Sequence, residues 1–152
     1  MTGEDKPAIM RILHDTPEFK PSEVVIAEEV LDSYLNNPSG SDYLALVAET
    51  DLTVTGYVCF GPTPLTEGTW DIYWLAVAPK QQRQGIGATL LTVAGDKIKQ
   101  MRGRLMLAET SSKPEYEKTR RFYQSQGYQL IAQIADFYVP GDDKLIFQKR
   151  LR

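Results

Sequence analysis

The sequence holds few of the groups that build covalent or metal chemistry: one cysteine, Cys59, and one histidine, His14, in 152 residues. A lone cysteine excludes an internal disulfide and a paired-cysteine metal site. Cys59 lies in the apolar run Gly56-Tyr57-Val58-Cys59-Phe60, where a free thiol behaves as a small buried hydrophobe. His14 lacks the partners that a metal site or a catalytic triad requires, so no metal is expected. No run of 18 apolar residues is present to span a bilayer, and the charged Thr2 to Pro7 stretch after Met1 lacks an apolar leader core. These features predict a cytoplasmic protein. Basic charge is not in excess either. Lys and Arg number 17 against 20 Asp and Glu, a net charge of −3, which gives no long-range attraction to nucleic acid or to an anionic membrane.

What is present suits one globular domain spanning 1–152: 42% of residues are hydrophobic and 24% charged. Ala8 to Leu13 reads as a first strand, and Pro17 and Pro21 interrupt regular structure after it. Ser22 is placed to cap a helix whose stripe is Val24, Ala27, Leu31, Tyr34 and Leu35, ending near Asn36-Asn37-Pro38. Tyr43 to Ala48 and Leu52 to Phe60 read as a hairpin, and Trp70 to Ala78 as the buried central strand. Ile86, Leu90, Leu91, Ala94, Ile98 and Met101 recur at helical spacing up to Gly103, and Leu105 to Ala108 follows as a strand. That order makes a βαβ unit, hence a parallel pair within an otherwise hairpin-linked sheet. A helix over Glu115 to Gln126 and closing strands over Tyr128 to Ile134 and Lys144 to Leu151 complete the reading. The expected fold is a mixed α/β sandwich: a mostly antiparallel sheet of about seven strands with one parallel βαβ step, flanked by helices.

The strongest chemical signal is Gln82-Arg83-Gln84-Gly85-Ile86-Gly87-Ala88, between the central strand and the next helix. Two glycines let the backbone approach a phosphate closely, and the unpaired N–H groups of a first helical turn point at it with the positive end of the helix dipole. Lys80 and Arg83 add positive charge. No Gly-Lys-Ser/Thr ending marks a nucleotide-triphosphate loop, and a dinucleotide fold would need a third glycine.

These residues resemble the GNAT superfamily of acetyl-CoA-dependent N-acetyltransferases. Gln82-x-x-Gly85-x-Gly87-Ala88 is similar to its pyrophosphate loop, Leu75-Ala76-Val77 to the preceding strand end, and Phe122-Tyr123-x-x-x-Gly127-Tyr128 to its later helix-to-strand motif. The order holds along nearly the whole chain. The resemblance implies that acetyl-CoA binds on Leu75, Ala76, Val77 and Gln82 through Ala88, its pantetheine arm lying between two splayed strands and pairing with backbone at Leu75 and Val77. A backbone N–H near Val77 would polarise the thioester carbonyl. Tyr123 matches the tyrosine that serves the departing thiolate as general acid. Asp71 matches an acidic position that is the base in some members, and its setting among Trp70, Ile72 and Trp74 would raise its pKa by desolvation. Glu109 is the alternative base.

One position departs from the pattern: Tyr116 stands where many members carry asparagine, and Thr110-Ser111-Ser112 would supply hydroxyls instead. Arg120 and Arg121 reach either a cofactor phosphate or solvent. By the same resemblance, Thr16 to Asn37 and the late strands form the acceptor side, where Trp74, Asp136 and Tyr138 would bind a cationic amine on a small molecule or peptide. Direct attack in a ternary complex is expected, because Cys59 has no activating base. A non-catalytic acyl-CoA-binding regulatory module and a pure interaction domain stand as alternatives. A homodimer is compatible with the sequence but unread by it.

Overall fold

The computed structural model describes residues 1–151. Two helices, α1 (Lys6–Asp15) and α2 (Pro21–Asn36), lead into strands β1 (Leu44–Thr50), β2 (Thr53–Pro62) and β3 (Thr69–Val77). Then come α3 (Ile86–Gln100), β4 (Leu105–Ser111), α4 (Glu117–Ser125), β5 (Gln129–Val139) and β6 (Asp142–Arg150). The strands form one sheet in the order β1-β2-β3-β4-β6-β5. Every neighbouring pair is antiparallel except β3 with β4, the parallel step expected across the βαβ unit.

The sheet has six strands because the first segment is a helix. Ile9, Ile12 and Leu13 are the buried residues of α1, a spacing of three and one that only a helical period brings to one face. Alternation would have placed Ile9 with Arg11. The second helix begins at Pro21, one residue ahead of the expected Ser22 cap, with Lys20 as its extended N-cap. Proline's fixed φ suits a first helical position, so Pro21 starts the helix and does not interrupt it. Leu52 is not a strand residue: Asp51 and Leu52 form the two-residue turn of the β1–β2 hairpin with φ of 50° and 65°. That left-handed pair matches the twist of the strands it joins.

Two cores sandwich the sheet. On one face Leu90, Leu91, Ala94 and Ile98 of α3 and Tyr123 of α4 pack on Phe60, Trp70, Ile72, Met106, Ala108 and Phe147. On the other, Ile9, Leu13, Val24, Ala27 and Leu31 pack on Ala45, Tyr57, Cys59 and Ala76. Burying each large aliphatic side chain contributes about 1.5–3 kcal/mol. Cys59 is 1% exposed, and burial raises its thiol to about 12, so it is an inert core group.

Gly56 on β2 sets how closely the start of α3 approaches the sheet. A Cβ there would sit 2.9 Å from Ile86 Cγ2 and 3.0 Å from Leu90 Cδ1. Gly56→Val should therefore cost about 1–3 kcal/mol in chemical denaturation through overpacking, although valine is the better strand former.

Candidate functional site: a cleft where two strands part

The parallel pair is short. Thr69 to Ile72 register with Leu105 to Ala108, and beyond Ile72 and Ala108 the two strands pair no further. Immediately after that point β3 carries an extra residue against β2. The register steps from Phe60↔Ile72 to Cys59↔Trp74, which leaves Tyr73 unmatched. A bulge increases local twist and bends its strand, which turns the end of β3 away from β4.

The far end of β3 thus presents an open edge. The Ala78 N–H donates to the Thr55 carbonyl at 2.8 Å, so Ala78 faces β2. Alternation then turns the N–H and C=O groups of Val77 and Leu75 to the opposite edge, toward the gap. The Gln82 side-chain amide donates to the Val77 carbonyl at 3.3 Å, which ties the following loop to that edge.

At the mouth of the gap stands the first turn of α3. Gly85 is its N-cap at φ 78°, and Arg83 also adopts a left-handed φ of 67°. Thr89 makes the helix's first bond, donating to the Gly85 carbonyl at 3.0 Å. The N–H groups of Ile86, Gly87 and Ala88 therefore have no acceptor among the described residues. A Cβ on Gly85 would meet nothing within 4 Å, whereas one on Gly87 would lie 3.2 Å from Phe122. Gly87 lets α4 close against α3, and Gly85 keeps the space before the N–H groups clear.

These features open into one cleft of about 1120 Å³. Leu75, Ala76, Val77, Gln82, Arg83, Gly85, Ile86, Gly87 and Ala88 line it, as do Asp71, Trp74, Glu109, Tyr123 and Tyr138. Gln84, Lys80 and Asp136 lie outside the lining. Asp136 instead shapes the β5–β6 connection, at φ 55°, with its carboxylate accepting from the Gly141 N–H at 2.7 Å. Arg120 donates through one guanidinium nitrogen to the Ser111 and Lys113 carbonyls, both at 2.8 Å, and is partly buried. Arg121 is exposed and pairs with Glu117 at 2.8 Å.

Tyr123 sits at the inner end, 6% exposed, against Phe122, Tyr128 and Phe147. Burial alone holds its phenol well above the usual value, which keeps it protonated. Asp71 is half-buried. Desolvation raises its carboxyl and Glu109 adds to this, against the opposing hydrogen bond from the Thr63 hydroxyl at 2.7 Å and the charge of Lys144. Glu109 is ion-paired to Lys144 at 2.9 Å.

The sequence reading did not single out Tyr73, Glu18 or Glu23, all of which line the cleft. Tyr73 is there because of the bulge, which no residue type marks. Glu18 comes from the α1–α2 connection, which Tyr116 fastens to the start of α4 by donating to the Glu18 carbonyl at 2.5 Å, and Glu23 comes from the first turn of α2. Tyr116 is thus a tether between the two walls.

The GNAT acetyltransferase domain family matches residues 41–130, from β1 through the loop and Tyr123 into β5. The chain belongs to the GNAT family of acetyltransferases. A solved protein assigned to that family from Desulfovibrio desulfuricans is 39% identical over 99% of this chain and 94% of its own, with a TM-score of 0.95. At 17% identity, an aminoglycoside 6'-N-acetyltransferase complexed with coenzyme A shares the fold, with a TM-score of 0.77 over 99% of this chain and 92% of its own. So does a protein assigned as an acetyltransferase from Salmonella typhimurium, solved with acetyl-CoA, at 22% identity and a TM-score of 0.74 over 98% and 90% of the two chains. No curated protein matches the sequence.

A carboxyl whose folded pKa is raised binds its proton more tightly in the folded protein than in the unfolded chain. Its stabilising contribution is then fullest below the unfolded value and is lost as the pH rises through the folded value. Asp71→Asn should accordingly melt above the wild type at pH 7, with the margin shrinking as the pH falls toward about 4.

Proposed function

We propose that this GNAT protein is an N-acetyltransferase that moves an acetyl group from acetyl-CoA to a primary amine by direct attack, both substrates being bound together. The observation that carries the reading is the juxtaposition of an open strand edge at Leu75 and Val77 with three unpaired N–H groups at the start of α3. One offers pairing to an extended, amide-bearing arm, and the other offers donors to a pyrophosphate. Coenzyme complexes of proteins with the same fold agree with this.

Acetyl-CoA supplies the acetyl group as an activated thioester. The chain's own residues do the rest. Ile86, Gly87 and Ala88 N–H groups, with Arg83 beside them, hold phosphate oxygens, and the backbone of Leu75 and Val77 aligns the arm along the gap. In this reading the Val77 N–H polarises the thioester carbonyl. Asp71, with its raised carboxyl, takes a proton from the incoming ammonium directly or through water, because only the neutral amine is a nucleophile. Glu109, engaged by Lys144, is the less available of the two carboxylates.

Tyr123 serves the leaving sulfur. A phenol held above its reference value of about 10 would give up its proton uphill to a thiolate of reference value about 8.5. The magnitudes therefore favour an O–H that stays on Tyr123 and donates a hydrogen bond that strengthens as the sulfur gains charge. Cys59, sealed on β2, takes no part.

Calorimetric titration with acetyl-CoA tests the reading. The wild type should bind in the micromolar range, and Gly85→Glu, which fills the space before the helix with bulk and negative charge, should abolish binding. Absence of wild-type binding would overturn the proposal. Tyr123→Phe should keep acetyl-CoA affinity and lower kcat by about 10²-fold or more, measured by thiol release with a reactive amine. Unchanged turnover would remove Tyr123 from the chemistry.

A further inference from the structure

One lysine near the proposed base is more enclosed than the carboxylate it pairs with. On the β4–β6 ladder Ser111 registers with Lys144, so Lys144 projects from the same face as Ser111 and, by alternation, as Glu109. Its Nζ lies 2.9 Å from Glu109 Oε2 and 4.4 Å from the centroid of the Phe137 ring. The lysine side chain is 15% exposed and that of Glu109 47%, the reverse of a surface pair in which the long lysine stem carries its charge out to water. Glu109 and Asp71 line the cleft, whereas Lys144 and Phe137 stand outside its lining.

That enclosure is made by a bulge. Between Ile134 and Val139 strand β5 leaves its register with β6, and four residues, Ala135 to Tyr138, lie opposite Asp143 alone. The Asp143 carboxylate holds the bulge by accepting from the Asp136 N–H at 2.9 Å and from the Gln133 side-chain amide at 2.6 Å. The Asp143 N–H in turn donates to the Ser112 hydroxyl at 2.8 Å, which ties the bulge to the end of β4. A bulge re-aims the side chains it carries, and here it lays Phe137 over Lys144 while Tyr138 joins the cleft lining. An exposed ion pair contributes little and needs no such cover. A cation kept from water is screened less, so its charge reaches further.

Asp71 is within that reach. Around it stand the Thr63 hydroxyl at the end of β2, Tyr73 on β3, Glu109 on β4 and Lys144 on β6. Desolvation and the Glu109 charge favour its protonated form, whereas the Thr63 hydroxyl and the Lys144 charge favour the carboxylate. A base must be ionised to take a proton, so the balance among these groups decides the pH at which Asp71 can serve.

We infer that Lys144 is a positioning residue for the proposed chemistry: clamped between Glu109 and Phe137 outside the cleft lining, it offsets the Glu109 charge beside Asp71 and keeps Asp71 in the ionised form that takes the ammonium proton. In that step an N–H bond of the ammonium breaks and an O–H bond forms on Asp71, while Lys144 neither gives nor takes a proton. The role rests on the acetyltransferase reading with Asp71 as its base. It goes beyond that reading by assigning the group that keeps the base available without touching either substrate.

The test follows the Asp71 side-chain carboxyl carbon by NMR against pH in the full chain, with no acceptor needed. Lys144→Met should raise the midpoint of that titration by about 0.5 pH or more, and Glu109→Gln should lower it. Phe137→Ala, which uncovers Lys144 at the surface, should raise it by less. Lys144→Arg, whose guanidinium can pair with Glu109 and stack on Phe137, should leave it close to the wild type. Unchanged calorimetric binding of acetyl-CoA reports that each variant is folded. A midpoint indifferent to Lys144→Met and Phe137→Ala, or moved as far by Lys144→Arg as by Lys144→Met, would overturn the inference and leave the cofactor site standing. Failure of the wild type to bind acetyl-CoA would instead sink the acetyltransferase reading and this role with it.

Discussion

Everything functional in this protein depends on two strands that stop pairing. Thr69 to Ile72 hold β3 to β4 for four residues, and the bulge at Tyr73 then turns β3 aside. In the interior of a sheet an unpaired edge is a liability, since each lost ladder bond leaves buried polar groups to be satisfied. Here the lost pairing opens a cleft with backbone groups on its wall. The two cores hold it open: α3 and α4 press on one face of the sheet, α1 and α2 on the other, and neither core fills the gap.

The groups lining that cleft are of opposite electrical character. At its mouth three helix N–H groups and Arg83 gather positive potential without any buried charge to desolvate. Carboxylates from the α1–α2 connection, α2, β3 and β4 also line the cleft. Tyr123 lies deep in the cleft, in an apolar setting that keeps its proton in place. A phosphate-bearing donor and a cationic acceptor would each find opposite charge in it, and the proposed chemistry falls where the two meet. The molecule's small net charge conceals this separation.

Tyr116 shows how a departure from family pattern is absorbed. Where the resemblance leads one to expect an asparagine, the longer phenol reaches across to the Glu18 carbonyl and pins the α1–α2 connection to the start of α4. The residue thus couples the wall that carries Glu18 and Glu23 to the helix that carries Tyr123.

The local signals were legible in the sequence because they are local. The glycines and polar residues from Gln82 to Ala88 announce a loop before a helix, the Trp70 to Ala78 run is too apolar to be anything but a central strand, and the βαβ order forces a parallel step. Short apolar segments were less secure. Ala8 to Leu13 fits either period, and only the docking of Ile9, Ile12 and Leu13 on β2 selects the helix, which removes a strand from the expected seven. Pro21 reads as an interruption until the chain before it is seen to be extended. What tertiary structure alone decided is proximity: that β3 parts from β4 after four pairs, that Tyr73 bulges, that Asp136 stays in its turn, and that Glu18, Glu23 and Tyr138 line one cleft. Those facts come from twist, register and the packing of segments distant in sequence, and a chain read one window at a time carries no record of them.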